Sequence, residues 1–317
     1  MKSEQSEITK EPVACAYCGG ASLYWVSSSD VNRRTTRDIF TYYKCSSCDL
    51  VFINPMPDDM ELFYKGGYDP IPENLLQLRG VAKKQIYRME PIWRYKSCGR
   101  LLEIGPWIGI FCCNAKDAGF DVTAIEMNSQ CVEFLNQVVG VRAIQSSDPA
   151  ATMATLSEKF DVISLWHSLE HLPKPWIVLE RAAELLAPGG ILLIAVPNIE
   201  SYDFSVLKAG WLHLDAPRHL FFYTARSLEK LCSAIGLETL ELKTDDTLSR
   251  ILSHDAWCRR AASLVPVKYA RRIVGELLNL LATRKCNGNG SGLTAIFANT
   301  RGESNSPLSM SIVQRVR

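Results

Sequence analysis

From residue 100 onward, short apolar runs alternate with segments whose apolar residues recur every three or four positions. The apolar runs predict seven strands, at 100–104, 122–126, 141–145, 160–166, 191–196, 237–242 and 293–299. The intervening periodicity predicts helices at 109–118, 129–138, 175–187 and 224–236. Thr224 is the expected N-cap of the last helix, and Gly236 its stop signal. Alternation of this kind predicts an α/β fold, a parallel sheet with helices on both faces.

The flanking segments show other patterns and suggest a division into domains. Residues 59–99 predict a helical connector, with helices at about 58–65 and 72–96, the second broken near Pro91. Residues 244–286 predict a helical insertion within the large domain, and a lid, a dimer contact or a membrane-surface contact all remain open for it. The complete expected division is a disordered N-terminus at 1–11, a small loop-rich unit at 12–58, the connector at 59–99, the large domain at 100–300 and a disordered tail at 301–317.

Composition excludes some classes of protein. Apolar residues make up 47% of the chain and charged residues 22%, which is ordinary for a globular protein. The formal net charge of +1 gives no global field that would favour nucleic acid or an anionic membrane. No uninterrupted apolar run of about 18 residues is present, and the polar start lacks a secretory signal, so neither a transmembrane segment nor export is expected. Seven scattered cysteines are typical of free thiols, which favours a cytoplasmic location.

The other four cysteines form two CxxC pairs, Cys15 with Cys18 and Cys45 with Cys48, separated by 26 residues. This spacing is typical of a zinc ribbon, in which four thiolates bind Zn²⁺ tetrahedrally and no ligand position stays open. Redox pairs or disulfides are the alternative, and a reducing compartment disfavours them. Residues 12–58 carry few basic groups, so no nucleic-acid partner is expected.

The turn after the first predicted strand indicates a nucleoside ligand. Gly105 and Gly109 allow a close approach of the backbone, and Glu126 ends the next strand, where nucleotide-binding folds place a ribose-binding acid. These features suit either a dinucleotide or S-adenosylmethionine (SAM). Trp107 interrupts the glycine spacing that a dinucleotide needs, and an acid at Glu103 suits a cationic amino-acid moiety better than a diphosphate.

Five segments carry a resemblance to a known family. They are Leu-Glu-Ile-Gly at 102–105, Ile-Glu at 125–126, the 160–171 stretch ending Trp-His-Ser-Leu-Glu-His, Leu-Ala-Pro-Gly-Gly-Ile-Leu-Leu-Ile-Ala-Val-Pro-Asn at 186–198, and Pro-Arg-His-Leu-Phe-Phe-Tyr-Thr at 217–224. The chain resembles the class I SAM-dependent methyltransferases whose catalytic domain follows a zinc-ribbon-like segment. The resemblance covers about 12–243 and implies a Rossmann-like seven-stranded methyltransferase sheet.

The resemblance also implies which residues bind SAM. The expected contacts are Glu103 and Gly105 at the methionine part, Pro106 and Trp107 in the same turn, Gly109 at the start of the next helix, Glu126 at the ribose, Met127 on the adenine, Asp148 or Ser147 near the adenine amino group, and Trp166 beside the sulfonium. Trp107 departs from the family, which has a small glycine there. Its indole would either narrow the cofactor pocket or lie outside it on a bulged loop.

Three histidines are candidate catalytic residues: His167, His171 and His219. His167, Glu170 and His171 would share one face of a helical turn. They suit a base that faces the substrate, a metal site similar to the Glu-x-x-Glu-His of quinone-biosynthesis O-methyltransferases, or local capping of the loop. His219 belongs to a loop at 211–219 that is either a substrate lid, with Arg218 for an anion, or purely structural.

The sequence therefore predicts a SAM-dependent methyltransferase that acts on a small-molecule acceptor. By resemblance, the acceptor is a sugar or secondary metabolite, methylated on oxygen or carbon. A non-catalytic scaffold with a degenerate methyltransferase fold is the alternative, and Trp107 is its main support. A nicotinamide-dependent enzyme conflicts with the glycine spacing. Neither the acceptor nor the oligomeric state is specified by the sequence.

Overall fold

The structure, a computed structural model, describes residues 11–64, 70–244, 247–265, 268–285 and 289–299. The predicted disordered termini at 1–11 and 301–317 therefore lie outside the described residues, apart from Glu11, as does Cys286.

The N-terminal segment forms an antiparallel meander. Its strands are β1 (Val13–Ala14), β2 (Ala21–Ser29), β3 (Ile39–Cys45) and β4 (Val51–Ile53). β2 and β3 are the long pair, and β4 adds to the other edge of β3. The two CxxC turns lie at one end of this sheet because Cys45 ends β3 and Cys15 follows β1.

A second sheet dominates the rest of the described chain. Its order is β11-β12-β9-β8-β5-β6-β7, for strands β5 (Gly99–Ile104), β6 (Phe120–Glu126), β7 (Arg142–Gln145), β8 (Phe160–Trp166), β9 (Leu186–Pro197), β11 (Leu237–Lys243) and β12 (Gly292–Asn299), while β10 (Phe221–Phe222) lies in the first sheet. β9, β8, β5, β6 and β7 pair in parallel, and β12 runs antiparallel to both of its neighbours. The predicted seven-stranded, Rossmann-like α/β sheet is confirmed.

Helices cover both faces of this sheet. Their bounds are α1 (Leu75–Ala82), α2 (Glu90–Trp93), α3 (Ile110–Asp117), α4 (Ser129–Phe134), α5 (Pro149–Met153), α6 (Pro175–Leu185), α7 (Tyr202–Leu207), α8 (Ala225–Ala234), α9 (Thr247–Leu264) and α10 (Lys268–Lys285). Short 3-10 or π turns occupy Met60–Tyr64, Lys83–Arg88, Leu135–Val139, Leu169–His171, Lys208–Gly210 and Leu212–Leu214.

Some helix predictions need correction. The single helix predicted over 72–96 is instead α1, a 3-10 stretch and α2, because Gln85 has non-helical dihedral angles and Pro91 begins a new helix rather than ending an old one. The predicted cap of α8 is confirmed, since the Thr224 side chain accepts a bond from the Ser227 amide and Gly236 has a φ of +81°. Helices α5 and α7 and strand β10 were not predicted.

The two sheets share one hydrophobic core. β10 pairs antiparallel with β4, so Phe221 lies opposite Phe52 and Phe222 opposite Val51. The stretch after β9 therefore completes the N-terminal sheet, and the cluster that contains Tyr42 and Phe222 continues into residues of β8 and β9. The expected boundary at residue 58 separates two segments of sequence that fold against each other.

The predicted insertion forms two helices, α9 and α10, which pack closely where Gly275 faces Cys258. A Cβ atom at Gly275 would lie 2.9 Å from the Cα of Cys258, so this crossing requires glycine. Among the residues that the structure describes, no helix combines the length and the apolar character that crossing a membrane requires.

Candidate functional site

A cavity of about 660 Å³ opens at the carboxyl ends of β5, β6, β7 and β8. In the sheet, β6 lies on one side of β5 and β8 lies on the other, so the order of the strands reverses at β5. The cavity lies at this switch point, which is where ligands of open α/β sheets bind. Its lining comes from both sheets: Arg33, Met60, Tyr64, Ile104, Gly105, Trp107, Ile125, Glu126, Met127, Ser146, Ser147, Pro149, His167, Ser168, His171, Leu172, Pro173, Asp215, Arg218 and His219.

The turn after β5 has an unusual backbone. Gly105, Trp107 and Gly109 have positive φ angles of +73°, +54° and +78°. Gly105 must be glycine, since a Cβ atom there would lie 2.7 Å from the Cβ of Ser168. The same contact brings the turn after β5 against the segment after β8. Trp107 is half-buried, packs beside the core on the α3 side and borders the cavity.

Glu126 ends β6 and holds this turn. Its Oε2 accepts a 2.9 Å hydrogen bond from the backbone amide of Trp107, and its Oε1 accepts one of 2.9 Å from the amide of Asn128. The carboxylate is 7% exposed, and burial raises its pKa. Because a carboxylate has about four acceptor sites, it can also accept from a hydroxyl in the cavity.

Four of the predicted SAM contacts line the cavity: Gly105, Trp107, Glu126 and Met127. Pro106 and Gly109 are buried beneath the turn, where the Gly109 amide donates to the carbonyl of Pro106. Asp148 is exposed, and its side chain caps α5 by accepting from the amide of Ala151. Its neighbour Ser147 borders the cavity in its place.

Glu103 and Trp166 point away from the cavity. Both side chains lie on the face of the sheet covered by α3, since Cys112 donates its thiol hydrogen to Oε2 of Glu103 at 2.9 Å and Phe111 packs on Trp166. Burial raises the pKa of Glu103 to about 7. Trp166 instead lines a smaller cavity of about 190 Å³ on that side.

The predicted histidines gather around one buried carboxylate. Glu170 is fully buried, with Nδ1 of His167 at 3.6 Å from its Oε1 and Nε2 of His219 at 3.9 Å. Both distances exceed a hydrogen bond, so His167 and His219 attract this carboxylate chiefly through charge, and only when the ring concerned is protonated. Burial acts to raise the pKa of Glu170, but the surrounding histidines outweigh it and hold the value at about 2.

His167 has a strained backbone, with a φ of +52° fixed by a 2.8 Å bond from its amide to the carbonyl of Ala195. Such conformations are uncommon for a histidine and concentrate at functional sites. The strain turns the side chain after β8 toward both Glu170 and the cavity.

His171 and His219 are each oriented by a backbone carbonyl. Nδ1 of His171 lies 3.0 Å from the carbonyl of Arg218 and 2.9 Å from the Tyr64 hydroxyl, and Nδ1 of His219 lies 2.7 Å from the carbonyl of His213. A carbonyl only accepts, so each bond requires the proton on Nδ1 and leaves Nε2 with a lone pair in the neutral ring. Burial lowers the pKa of His171 to about 4, which keeps the ring neutral.

Arg33, Met60, Tyr64 and Ser168 also border the cavity and were not predicted. Three of them belong to the N-terminal segment and its exit, more than 100 residues from the histidines in sequence. Their spacing carried no signal, because long-range contacts such as the pairing of β10 with β4 bring these segments together.

The four predicted zinc ligands meet at the tip of the N-terminal sheet. Their sulfurs lie within 4.8 Å of one another, with Cys15 to Cys48 at 3.7 Å and Cys18 to Cys45 at 3.5 Å. Zinc–sulfur bonds of about 2.3 Å in a tetrahedron separate sulfurs by roughly 3.8 Å, so the cluster fits the ion.

The two CxxC turns also repeat one geometry. Gly19 donates its amide to the carbonyl of Cys15, as Asp49 does to that of Cys45, and both Gly19 and Asp49 have positive φ. This repetition is typical of paired zinc knuckles.

Comparison with known proteins identifies the family. Residues 75–242, more than half of the chain, match the family described as methyltransferase domain. The chain belongs to this methyltransferase family. Ubiquinone biosynthesis O-methyltransferase of Aromatoleum aromaticum is 27% identical over 179 residues, 50% of this chain and 75% of that protein. The enzyme of the same name from Haemophilus ducreyi is 28% identical over 158 residues, 45% and 67% of the two chains.

Among solved structures, a SAM-dependent methyltransferase from Archaeoglobus fulgidus aligns with 70% of this chain and 96% of its own at a TM-score of 0.47 and 18% identity. The family match and the two O-methyltransferase relatives confirm the prediction that the chain is an enzyme, a class I SAM-dependent methyltransferase.

Proposed function

We propose that this methyltransferase transfers the methyl group of SAM to a hydroxyl of a small-molecule acceptor, a sugar or a secondary metabolite, inside the 660 Å³ cavity. The observation that carries the proposal is the shared cavity wall. Glu126, which suits a ribose diol, and His167, which suits a proton acceptor, line the same space across the contact between Gly105 and Ser168.

The chain's own residues divide into a cofactor side and an acceptor side. Glu126 binds the ribose hydroxyls, Met127 packs against the adenine, and the turn at Gly105 and Trp107 borders the amino-acid part. SAM supplies an electrophilic methyl group on sulfur. Because the transfer is a displacement in line with that sulfur, the main task of the protein is to orient the acceptor.

A hydroxyl acceptor must lose its proton as the methyl group arrives, and His167 is the proposed base. Its Nδ1 faces the buried Glu170, which stabilises the ring once it gains the proton, and its side chain borders the cavity. His171 and His219 offer Nε2 lone pairs on the same side and would orient the acceptor or share the base role. The two relatives are O-methyltransferases, which favours oxygen over carbon as the methylated atom.

We also propose that Cys15, Cys18, Cys45 and Cys48 hold one structural Zn²⁺. Four thiolates fill a tetrahedron and leave no open position for chemistry. Free thiols at Cys112, Cys113, Cys131 and Cys232, all buried, support a reducing location such as the cytoplasm.

A second role for the acceptor side is favoured by one observation. Ligand atoms of Glu170, His171 and His219 lie within 4.8 Å of one another, and both histidines are oriented through Nδ1 as metal-bound histidines usually are. Two histidines and one carboxylate suit a divalent cation. Titration with Co²⁺, read by its visible absorption, separates the roles: a spectrum that is lost in His219→Gln indicates a metal site.

The proposed function is tested with methyl-labelled SAM and a panel of hydroxylated sugars and aromatic metabolites. We expect a labelled product with wild-type protein and a rate about 10²- to 10⁴-fold lower in His167→Gln, because a positioned base contributes that much. Affinity for S-adenosylhomocysteine (SAH) should stay the same. His254→Gln, on α9, is the matched control. Equal rates in His167→Gln and wild type would remove His167 as the base.

A further inference from the structure

We propose that Asp30 and Arg218 are positioning residues, through which the N-terminal sheet holds His171 and His219 in the acceptor site. The expected effect on methyl transfer rests on the proposed function, whereas the positioning of the histidines rests on the contacts described below. Asp30 follows the last residue of β2, and Arg218 lies 188 positions later, directly before His219.

The pair is buried and closely bonded. Arg218 is 1% exposed and Asp30 2% exposed, and Nη2 of Arg218 lies 2.8 Å from Oδ1 of Asp30. On its other side the guanidinium donates to Asp215, with Nε at 2.9 Å from Oδ2 and Nη2 at 2.6 Å from Oδ1. The guanidinium and the other bonds to Asp30 outweigh burial and hold the pKa of this carboxyl well below its usual range.

Asp30 is fixed on its own side of the interface. The amides of Arg33 and Thr35 donate to its two carboxylate oxygens at 3.0 and 2.9 Å, so the turn after β2 folds around it. Asn32 in the same turn donates to Oδ1 of Asp215 and to the carbonyl of Leu212, each at 2.7 Å. One turn of the N-terminal sheet thus holds the loop at 212–218 at several points.

That loop in turn orients both histidines. The carbonyl of Arg218 accepts from Nδ1 of His171, and the carbonyl of His213 accepts from Nδ1 of His219. Tyr42 of β3 donates its hydroxyl to the carbonyl of His219 at 2.9 Å. The amide of Leu220 then donates to the carbonyl of Glu170 at 2.8 Å, which connects the loop to the buried carboxylate's own backbone.

The geometry explains why an ion pair is buried here. A guanidinium held between two carboxylates fixes both the distance and the relative orientation of the two segments that carry them, because its N–H donors lie in one plane in a fixed geometry. Without Asp30, Arg218 would turn toward Asp215 alone, and its carbonyl would move away from His171. A shift of about 1 Å at such a distance from the chemistry is enough to cost about 10²-fold in rate.

The test is Asp30→Asn, which keeps the shape and removes the charge, measured by NMR of the imidazole nitrogens. The chain has five histidines, and His171→Gln and His219→Gln assign the two signals. We expect the signals of His171 and His219 to move in Asp30→Asn at pH 7.5, while His254 stays and SAH affinity changes by less than about twofold. Asp38→Asn, an exposed acid of the same hairpin, is the matched control and should move neither signal.

Tyr42→Phe is the second variant, read in the same way if Asp30→Asn does not fold; it removes one bond to His219 at nearly constant volume. Unmoved His171 and His219 signals in a folded variant that binds SAH would overturn the proposal, even if the protein melts at a lower temperature. Moved signals in a protein that methylates no acceptor would leave the positioning role standing and contradict the proposed function instead.

Discussion

The backbone amide of Trp107 donates a 2.9 Å hydrogen bond to Oε2 of Glu126. This bond connects the turn after β5 to the last residue of β6. The ends of these two strands border the proposed nucleoside site. It uses the main chain of Trp107 and not the indole. A residue whose side chain departs from its family can therefore still hold the Glu126 carboxylate in place.

Glu126→Gln tests the role of that acid. The amide group of glutamine would face one of the two backbone donors, Trp107 or Asn128, and would bind ribose hydroxyls without a charge. Bonds to a charged acceptor contribute about 1.5–3 kcal/mol, so we expect SAH affinity to fall about 10- to 100-fold by calorimetry. Glu133→Gln, exposed on α4, should leave affinity unchanged. Equal affinities in both variants would show that Glu126 does not touch the ligand.

Trp107→Gly and Trp107→Ala test whether the indole matters. Glycine adopts the observed φ of +54° without strain, whereas alanine retains a cost of about 1–2 kcal/mol. We expect the glycine variant to bind SAH within about threefold of wild type, because the amide that holds Glu126 remains, and the alanine variant to melt at a lower temperature than the glycine variant. A loss of SAH binding in Trp107→Gly would show that the indole itself contributes to the cofactor site.

The sequence predicted the sheet well because its strands are buried on both faces and therefore read as continuous apolar runs. The predicted strand over 160–166 coincides with β8, and Gly105 and Glu126 stand where strand ends meet a cavity. The alternation of side chains along a strand does not show which of them point toward the cavity side of the sheet and which point toward α3. Leu102 and Ile104 pack on one side of β5, which leaves Glu103 facing α3.

The acceptor side was less predictable. The histidines were candidates because of their chemistry, but Asp30 and Arg33 carried no signal, since their approach to Arg218 and the cavity depends on a two-residue strand far along the chain. The two-residue strand β10 is stabilised by its pairing with β4 rather than by its own sequence, whereas the short helix α5 has local signals in its Asp148 cap and in Pro149 at its start.

Glu103 gives a prediction about pH. Its pKa is raised to about 7, above the ordinary value of 4.5, so the folded protein keeps a proton that the unfolded chain releases. Its contribution to stability is therefore present in full below pH 4.5 and is lost as the pH rises toward 7, by up to about 3 kcal/mol.

Glu103→Gln isolates this effect. The free energy of unfolding of the variant minus that of wild type, measured in urea, should increase between pH 5 and pH 8, because every other group cancels. The same difference for Glu133→Gln should be flat. A flat difference for Glu103→Gln as well would mean that the buried carboxyl is not protonated in the folded protein.

Metal analysis tests the cysteine cluster. We expect about one zinc per chain, lost in Cys45→Ser, with a melting temperature lower by roughly 5–10 °C, since structural zinc stabilises its fold by several kcal/mol. Cys98→Ser removes an exposed thiol elsewhere and should retain the metal. Full zinc content in Cys45→Ser would exclude the four-thiolate site.

The proposed function requires that the cavity beyond β5 and β6 bind a sulfonium nucleoside, and a crystal structure of the protein with SAH tests this. We expect ribose hydroxyls within hydrogen-bond distance of Glu126, the adenine against Met127 and the sulfur turned toward His167. Ligand density in the smaller cavity beside Trp166, with Glu126 contacting only Trp107 and Asn128, would contradict it.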